Sequence, residues 1–221
     1  MKDRMKLSRW FYRLVFIATI AAGLSTRAYA QDYMFDLGEG DGRMKSKDYT
    51  GAMYDYENAV HLQPNSSLCH YKLGYCLYKQ GEWADSLPEF NRVIQLDPQN
   101  FWAYVDRGRV YWLLKNIDQA LADFTVAIQL KPAEEDGYFN RGCLYRDLGQ
   151  YEKALSDFNH ANQNKPTDPD AVFQRGYVEY RTGQFGQAVR DFQTVLTMNP
   201  NYPRASEYLQ KAESPVGTSH P

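Results

Sequence analysis

The sequence predicts an all-α protein made of five copies of one helical hairpin followed by a capping helix. The first observation is a proline that recurs every 34 residues: Pro64, Pro98, Pro132, Pro166 and Pro200. The second is a glycine 24 residues before each proline: Gly40, Gly74, Gly108, Gly142 and Gly176. The third is an aromatic residue eight residues before each proline: Tyr56, Phe90, Phe124, Phe158 and Phe192. A fixed period of this length is the signature of a repeat architecture.

Each repeat is predicted to contain two helices. With the recurring proline numbered as position 32, the five repeats span residues 33–66, 67–100, 101–134, 135–168 and 169–202. Positions 4, 7, 8 and 11 then share one face of a first helix, and positions 20, 24 and 27 share one face of a second helix. Position 20 is always small: Ala52, Ser86, Ala120, Ala154 and Ala188. Small residues at positions 8 and 20 let the two backbones approach closely, so the ring at position 24 fills the space beside them.

The ends of the helices are also marked in the sequence. Position 15 is the predicted turn between the two helices, and it is a glycine in three repeats: Gly81, Gly149 and Gly183. The proline at position 32 ends the second helix because it cannot donate a backbone hydrogen bond and restricts the residue before it. Ser66, Asn100 and Asp168 at position 34 are suitable N-caps for the next first helix. Pro169 then suits the first helical position.

On these residues the chain resembles the tetratricopeptide repeat (TPR) family, whose helix-turn-helix units stack into a right-handed superhelix with a concave groove. The resemblance therefore implies a right-handed α-solenoid. The family pattern is fullest in repeat four: Tyr138, Arg141, Gly142, Tyr145, Gly149, Tyr151, Ala154, Phe158, Ala161 and Pro166. Repeat one departs from the pattern, since its first helix contains Gly38, Gly40 and Gly42 and has Arg43 at the usual aromatic position 11. Each glycine costs about 1 kcal/mol relative to alanine inside a helix, so this helix is expected to be irregular.

Beyond the last repeat, residues 203–213 are predicted to form the capping helix. Their apolar residues, Ala205, Tyr208, Leu209 and Ala212, have helical spacing. A terminal repeat needs such a helix because one of its faces has no neighbour. Residues 214–221 are expected to be a disordered tail.

The first thirty residues have the pattern of a secretory signal peptide. Six basic residues surround an apolar run over residues 14–24, and Ala28-Tyr29-Ala30 fits the small-x-small cleavage pattern. Cleavage is expected after Ala30, which would place the mature chain outside the cytoplasm, in a periplasm or secreted. The alternative is an uncleaved anchor, but eleven residues cover only about half of a bilayer core of roughly 30 Å. No membrane span is expected after cleavage.

The charge of the chain bears on nucleic-acid binding, and the spacing of its cysteines bears on disulfide bonds. Residues 31–221 hold 19 basic and 26 acidic side chains, so nucleic-acid binding is disfavoured. Cys69 and Cys76 are seven residues apart on one predicted helix, which is too far for a disulfide. Cys143 has no evident partner within the chain, and intermolecular disulfides remain open.

A second stripe of residues at positions 2, 5, 9 and 12 is the candidate partner-binding site, because in the TPR family these positions line the concave groove. The stripe is rich in aromatic residues and arginine, the composition of binding hot spots. Its candidate residues are Tyr71, Tyr75, Tyr78, Trp102, Arg109, Trp112, Arg146, Phe173, Tyr177 and Tyr180. The alternative is that positions 5 and 9 pack against the first helix of the next repeat. The expected partner is a peptide or helix of another protein, or else a second copy of this chain.

One specific ligand of the family is excluded by the same positions. The groove that clamps acidic chaperone tails needs Lys and Asn at positions 5 and 9 of its first repeat, then Lys and Arg at positions 2 and 6 of its third. This chain has Leu37 and Asp41, or Tyr71 and Tyr75, followed by Trp102 and Asp106. A carboxylate clamp of that kind is therefore not expected.

Paired charges are predicted between the two helices of repeats three, four and five. Position 7 is arginine and position 23 is aspartate in the pairs Arg107 with Asp123, Arg141 with Asp157, and Arg175 with Asp191. Antiparallel neighbours around a turn at position 15 have positions that add to about 30, which places each pair face to face. The interpretation favoured here is structural rather than functional.

The sequence contains no recognisable arrangement of catalytic or cofactor-binding residues. The four histidines are scattered, and adjacent Cys69 and His70 diverge around a helix, so no metal site with recognised spacing is present. Cys143 and His160 lie in one repeat but about a turn out of register for a catalytic dyad. The sequence therefore predicts a protein that is not an enzyme and that has no cofactor and no metal.

Overall fold

The computed structural model describes residues 26–214, with side chains from Asp32 onward. This part of the chain forms eleven α-helices and no β-strand. In chain order they are α1 (Thr26–Lys45), α2 (Tyr49–Leu62), α3 (Ser67–Gln80), α4 (Trp83–Leu96), α5 (Phe101–Leu113), α6 (Ile117–Leu130), α7 (Glu135–Asp147), α8 (Tyr151–Asn164), α9 (Pro169–Arg181), α10 (Phe185–Met198) and α11 (Ala205–Glu213). Most of the predicted signal peptide and residues 215–221 lie outside the described residues, so those two assignments stay predictions.

The helices form five hairpins, each pairing an odd-numbered helix with the next even-numbered one, and α11 covers the last hairpin. The all-α solenoid predicted from the 34-residue period is therefore confirmed. Inside each hairpin the ring at position 24 is almost fully buried and lies against the glycine at position 8. A Cβ atom on Gly108, for example, would lie 2.7 Å from Cε1 of Phe124. Only glycine leaves room for the ring at this point.

The predicted turns and caps are present. Gly81, Gly149 and Gly183 have φ values of 91°, 71° and 78°, which is the left-handed conformation that favours glycine. Ser66, Asn100 and Asp168 accept backbone hydrogen bonds in the first turns of α3, α5 and α9: from Cys69, Ala103 and Asp170 respectively. These interactions set where each first helix begins.

The expectation of an irregular first helix was wrong, because α1 is continuous from Thr26 to Lys45. Tertiary packing outweighs its low helix propensity. Gly40 lies under the ring of Tyr56, whose hydroxyl donates a 2.7 Å hydrogen bond to Asp41. Arg43 donates to the carbonyl of Gly51 at 3.1 Å. The contacts with α2 thus hold the glycine-rich helix together.

The capping helix α11 packs on repeat five through one face only. Ala205, Tyr208 and Ala212 are buried, and they occupy the positions that face the preceding repeat. Ser206 and Gln210 on the remaining surface are exposed. A helix that is apolar on one side and polar on the other ends the stack without leaving an apolar face in water. None of the helices in the described residues combines the length and apolar character needed to span a bilayer.

The predicted charge pairs between helices are confirmed in repeats three, four and five. Each arginine donates two hydrogen bonds, from Nε and Nη2, to the two carboxylate oxygens of its aspartate at 2.7–2.8 Å. The third nitrogen of each arginine, Nη1, donates to a polar side chain of the preceding repeat: Asn91, Thr125 or Asn159. We call this three-way contact the arginine clasp. It joins two helices of one repeat to the second helix of the repeat before it.

In repeats one and two, side chains at other positions take the place of the arginine. In repeat one, Arg43 at position 11 forms an ion pair with Asp55 at 3.0 Å. In repeat two, Nδ1 of His70 lies 2.7 Å from a carboxylate oxygen of Glu89, and Nε2 lies 3.0 Å from the carbonyl oxygen of Pro64. The acidic residue at position 23 is therefore paired in all five repeats.

Repeat five has a buried carboxyl group at position 11, where none of the other repeats has an acidic residue. Glu179 occupies position 11, where repeats three and four have tyrosine, and only 8% of its surface is exposed. Its Oε2 atom has no hydrogen-bond partner among the described residues. Burial, with a further contribution from the nearby charge of Asp191, raises the pKa of Glu179 to about 7. The carboxyl group is thus neutral in the folded protein under mildly acidic conditions.

Glu179→Gln is expected to stabilise the protein at pH 8 by about 1–3 kcal/mol and to have little effect at pH 5. Because the folded-state pKa is above the unfolded value, the glutamate's contribution is fully favourable below the unfolded pKa and is lost as the pH rises through about 7. Urea unfolding at both pH values measures the difference. Glu152→Gln, at an exposed position, is the control. Equal effects of Glu179→Gln at the two pH values would contradict the burial argument.

Candidate partner-binding groove

The ten predicted groove residues all lie on the first helices of repeats two to five, namely α3, α5, α7 and α9. Their exposure differs along the solenoid. Trp102 is 42% exposed and Phe173 is only 7% exposed, while the other eight are half-buried. The neighbouring Leu68, at position 2 of repeat two, is 49% exposed. The accessible apolar surface of the stripe is therefore concentrated at repeats two and three.

Three tyrosines form a ladder along α3. The rings of Tyr71 and Tyr75 are nearly parallel with centroids 6.2 Å apart, and those of Tyr75 and Tyr78 are 6.1 Å apart. Residues three or four apart share one face of a helix, so the sequence spacing produces this contact directly. The ammonium group of Lys79 lies 5.8 Å from the ring of Tyr75. The ladder presents three neighbouring rings beside a cation.

An apolar cleft lies beside the N-terminal end of α3, between repeats two and three. Its volume is about 340 Å³, and it is lined by Ser67, Leu68, Tyr71, Asn100 and Trp102. Trp102 is held in place by an edge-to-face contact with Phe101, with ring centroids 5.0 Å apart. The cleft can accept an apolar side chain between a leucine and an indole ring. We refer to it as the apolar cleft.

The middle of the groove is organised by Arg109. Its guanidinium donates to Asp106 and to Asn140, both at 2.9 Å, and the hydroxyl of Tyr71 donates to the other oxygen of Asp106 at 2.7 Å. Asp106 is 1% exposed, and burial raises its pKa against the opposing effect of Arg109. Arg109 and Tyr71 are thus fixed by hydrogen bonds.

Sequence reasoning missed Asp106 and Asn140 as groove residues, although a signal was available. Both occupy position 6, as do Lys72 and Gln174. Each of the four bonds to a side chain on the first helix of the preceding repeat: to Tyr71, Arg109, Asp41 and Arg146 respectively. Position 6 is therefore a polar column that links neighbouring first helices along the groove.

The C-terminal part of the stripe is packed against the capping helix. The ring of Tyr208 on α11 lies 6.0 Å from Phe173, 5.3 Å from Tyr177 and 5.7 Å from Tyr180. This packing follows the alternative in which positions 5 and 9 contact the next helix. Phe173 belongs to the core, whereas Tyr177 and Tyr180 keep one side accessible.

Trp112 and Arg146 occupy position 12 but have different surroundings. Trp112 packs against two core clusters, one containing Phe124 and the other containing Phe158. Its truncation is therefore expected to affect folding as well as binding. Arg146 donates to Asp147 at 2.7–2.9 Å and also bonds to Gln174. It lines a second cleft between repeats four and five.

The three cysteines, His70 and His160 are in structural environments, whereas His61 is exposed in the last turn of α2. Cys69, Cys76 and Cys143 are all buried and unpaired. Burial raises the pKa of Cys143 to about 12, and His160 stacks on Tyr138 at 4.9 Å rather than approaching that thiol. Glu134, Glu135 and Asp136 form an acidic cluster, but Lys165 and Arg109 are already paired with two of its members. These groups hold the fold together.

Comparison with known protein families and structures agrees with this architecture. No curated protein sequence matches the chain. A solved structure of residues 41 to the end of MamA from Desulfovibrio magneticus RS-1 is 19% identical, covers 78% of this chain and 97% of that chain, and has a TM-score of 0.68. The pilF protein of Pseudomonas aeruginosa is 15% identical, with 86% and 95% coverage and a TM-score of 0.69. YrrB is 17% identical, with 84% and 97% coverage and a TM-score of 0.64.

Family models match nearly the whole described solenoid. A model described as TPR repeat matches residues 40–81 and 74–115. Models described as tetratricopeptide repeat match residues 135–168 and also residues 103–134 and 169–202. These matches follow the five hairpins from the middle of α1 to the end of repeat five. The chain belongs to the tetratricopeptide repeat family.

Proposed function

We propose that this chain is a non-catalytic interaction scaffold that binds an extended or helical segment of another protein in its groove. Tetratricopeptide repeats bind other proteins or peptides, and YrrB is described as a TPR protein with an unusual peptide-binding site. The observation that carries the proposal is the apolar cleft, where Leu68 and Trp102 are 49% and 42% exposed beside the tyrosine ladder. Large apolar side chains clustered at one point of a surface are typical of interaction sites.

Trp102→Ala is expected to weaken partner binding by about 2 kcal/mol or more. Its effect on folding is expected to be small, because the side chain is exposed. The partner is first captured from a native extract with residues 31–221 as bait, and its dissociation constant is then measured by calorimetry. Met198→Ala, a truncation of an equally exposed side chain on α10, is the control. Unchanged affinity of Trp102→Ala together with lost affinity of Met198→Ala would place the binding surface on the opposite helices.

The same proposal places the mature protein outside the cytoplasm. The basic start, the short apolar run and Ala28-Tyr29-Ala30 support this location. The expected result is that the protein purified from its native source begins at Gln31, as measured by intact-protein mass spectrometry. A membrane-bound species that retains Met1 would contradict cleavage.

Self-association is the second candidate function. Met34 and Phe35 on α1, the first helix of repeat one, are 55% and 67% exposed. A second copy that packs against α1 would bury both side chains. Light scattering coupled to size-exclusion chromatography on residues 31–221 separates the candidates. A monomer at micromolar concentration excludes self-association, whereas a dimer that Phe35→Ala dissociates favours it.

A further inference from the structure

A second cleft, between repeats four and five at the edge of the groove, differs in chemistry from the apolar cleft. Its volume is about 390 Å³, and it lies where the turn of repeat four meets the end of α9. Its lining consists of Arg146, Asp147, Leu148, Gly149, Tyr151, Tyr177 and Arg181. Arg181 is exposed and donates a 3.0 Å hydrogen bond to the hydroxyl of Tyr177. A guanidinium has five N–H donors, so within the described residues most of those on Arg181 are available to a ligand.

The cations extend from this cleft onto the capping helix. Tyr177, Tyr180 and Tyr208 pack together as a tyrosine floor. Arg181 lies 5.9 Å from the ring centroid of Tyr177, while Arg204 and Lys211 lie 5.0 and 4.9 Å from that of Tyr208. With Arg146 at the cleft wall, four cations surround the floor.

Two carboxylates accompany these four cations, and both are already engaged. Asp147 accepts from Arg146, and Glu207 pairs with Lys211. The local surface is therefore positive, although residues 31–221 as a whole carry seven more acidic than basic side chains. A positive patch on an acidic protein favours an anionic ligand by charge complementarity.

We propose that this cationic end of the groove binds a stretch of aspartate or glutamate side chains in the partner segment. Arginine forks match the geometry of carboxylates, and the tyrosine floor packs against their methylene groups. The proposal rests on the proposed function, in which the apolar cleft binds another part of the same segment. The recognising residues lie at positions 9, 12 and 13 and on the capping helix, so the site differs from the clamp positions excluded by the sequence.

The positions of the two clefts set the spacing of the recognised motif. The apolar cleft lies between repeats two and three, and the cationic cleft lies between repeats four and five, so they are two repeats apart. Neighbouring packed helices are about 8–10 Å apart, which gives a separation of roughly 20 Å along the row of first helices. The apolar cleft is lined near the start of the first helices and the cationic cleft near their end, about eight residues further on, which adds an offset of about 12 Å along the helix axis. The two clefts are therefore roughly 23 Å apart, and an extended peptide rises about 3.3 Å per residue. The partner segment thus carries an apolar residue and an acidic cluster about seven residues apart.

The test uses synthetic peptides with residues 31–221 of the protein. The probe carries one leucine, a spacer of six glycine and serine residues and three consecutive glutamates. The control peptide has glutamines in place of the glutamates. Binding is followed by nuclear magnetic resonance titration, which detects millimolar dissociation constants and reports which residues are contacted. The expected result is at least tenfold tighter binding of the glutamate peptide, with a preference that decreases as salt is added.

Protein variants assign that preference to the cationic cleft. Arg146→Ala combined with Arg181→Ala is expected to remove the tenfold preference for the glutamate peptide. Arg92→Ala is expected to retain the preference. It removes a cation on α4 that, among the described residues, bonds to the neutral side chains of Gln95 and Asn65. Equal binding of both peptides, no binding of either, or an undiminished preference in the double variant overturns the proposal.

Failure of this proposal is distinguishable from failure of the proposed function. If Trp102→Ala weakens both peptides while the arginine variants bind normally, the groove binds a partner segment but does not select acidic residues. If neither Trp102→Ala nor the arginine variants change binding, the groove is not the binding surface, and both proposals fail.

Discussion

Replacing Phe158 with alanine is expected to lower the free energy of unfolding by about 3–5 kcal/mol. The ring is fully buried between α7 and α8 and lies against Gly142, where an added Cβ would be 2.9 Å from its Cε1 atom. Its centroid is 6.1 Å from that of Phe139 on α7. Because helix backbones hold the glycine and the ring in register, the structure can collapse only partly around the lost side chain.

Denaturant unfolding measures this loss, provided that the dependence of the unfolding free energy on denaturant concentration is the same for both proteins. Phe35→Ala removes the same side chain at a position that is 67% exposed and is expected to change stability by less than about 0.5 kcal/mol. The contrast between two identical substitutions isolates the contribution of burial. Similar effects at the two positions would show that the ring at position 24 does not hold the hairpin together.

Breaking the pair between Arg141 and Asp157 is expected to cost about 3 kcal/mol or more for either single substitution, Arg141→Met or Asp157→Leu. Asp157 has only 5% of its side chain exposed and accepts two hydrogen bonds at 2.8 Å. Removing one partner leaves a buried charge without compensation. Removing both is expected to cost less than the sum, and a double-mutant cycle measures the coupling.

A surface pair provides the matched control for this cycle. Lys131 and Glu134 are 3.8 Å apart with 49% and 43% of their side chains exposed. Their coupling energy is expected to be below about 0.5 kcal/mol. If the buried pair shows no more coupling than this one, the arginine clasp contributes no more than an ordinary surface ion pair.

The repeated parts of the fold were the parts that the sequence predicted well. The contact between Gly142 and Phe158 and the pair between Arg141 and Asp157 recur in register, and a residue that recurs every 34 positions has the same surroundings each time. The substitutes in repeats one and two were not predictable in this way. Arg43 and His70 reach the acidic residue from positions 11 and 4, so only the folded geometry shows that they replace the missing arginine.

The groove was harder to predict than the hairpins for a related reason. Whether Phe173 faces a ligand or the core depends on α11, which lies outside the repeat pattern. Trp112 shares position 12 with Arg146, yet it packs into the core because its large ring reaches two neighbouring clusters. The 34-residue period determines on which face of the helix a residue lies. Whether its side chain stays accessible depends on the size of that side chain and of its neighbours.

The arginine clasp also fixes the joints between successive repeats. Arg107, Arg141 and Arg175 each reach the preceding repeat, so the three joints from repeat two to repeat five are held by directional bonds as well as by apolar contact. Leu73 stands at that position in repeat two, and the first joint is instead held by other bonds: Lys72 with Asp41, His70 with the carbonyl of Pro64, and the thiol of Cys76 with the carbonyl of Tyr49. Directional bonds therefore cross every joint between the five repeats. The groove from the apolar cleft to the capping helix keeps a constant length, so it acts as a ruler for the segment it binds.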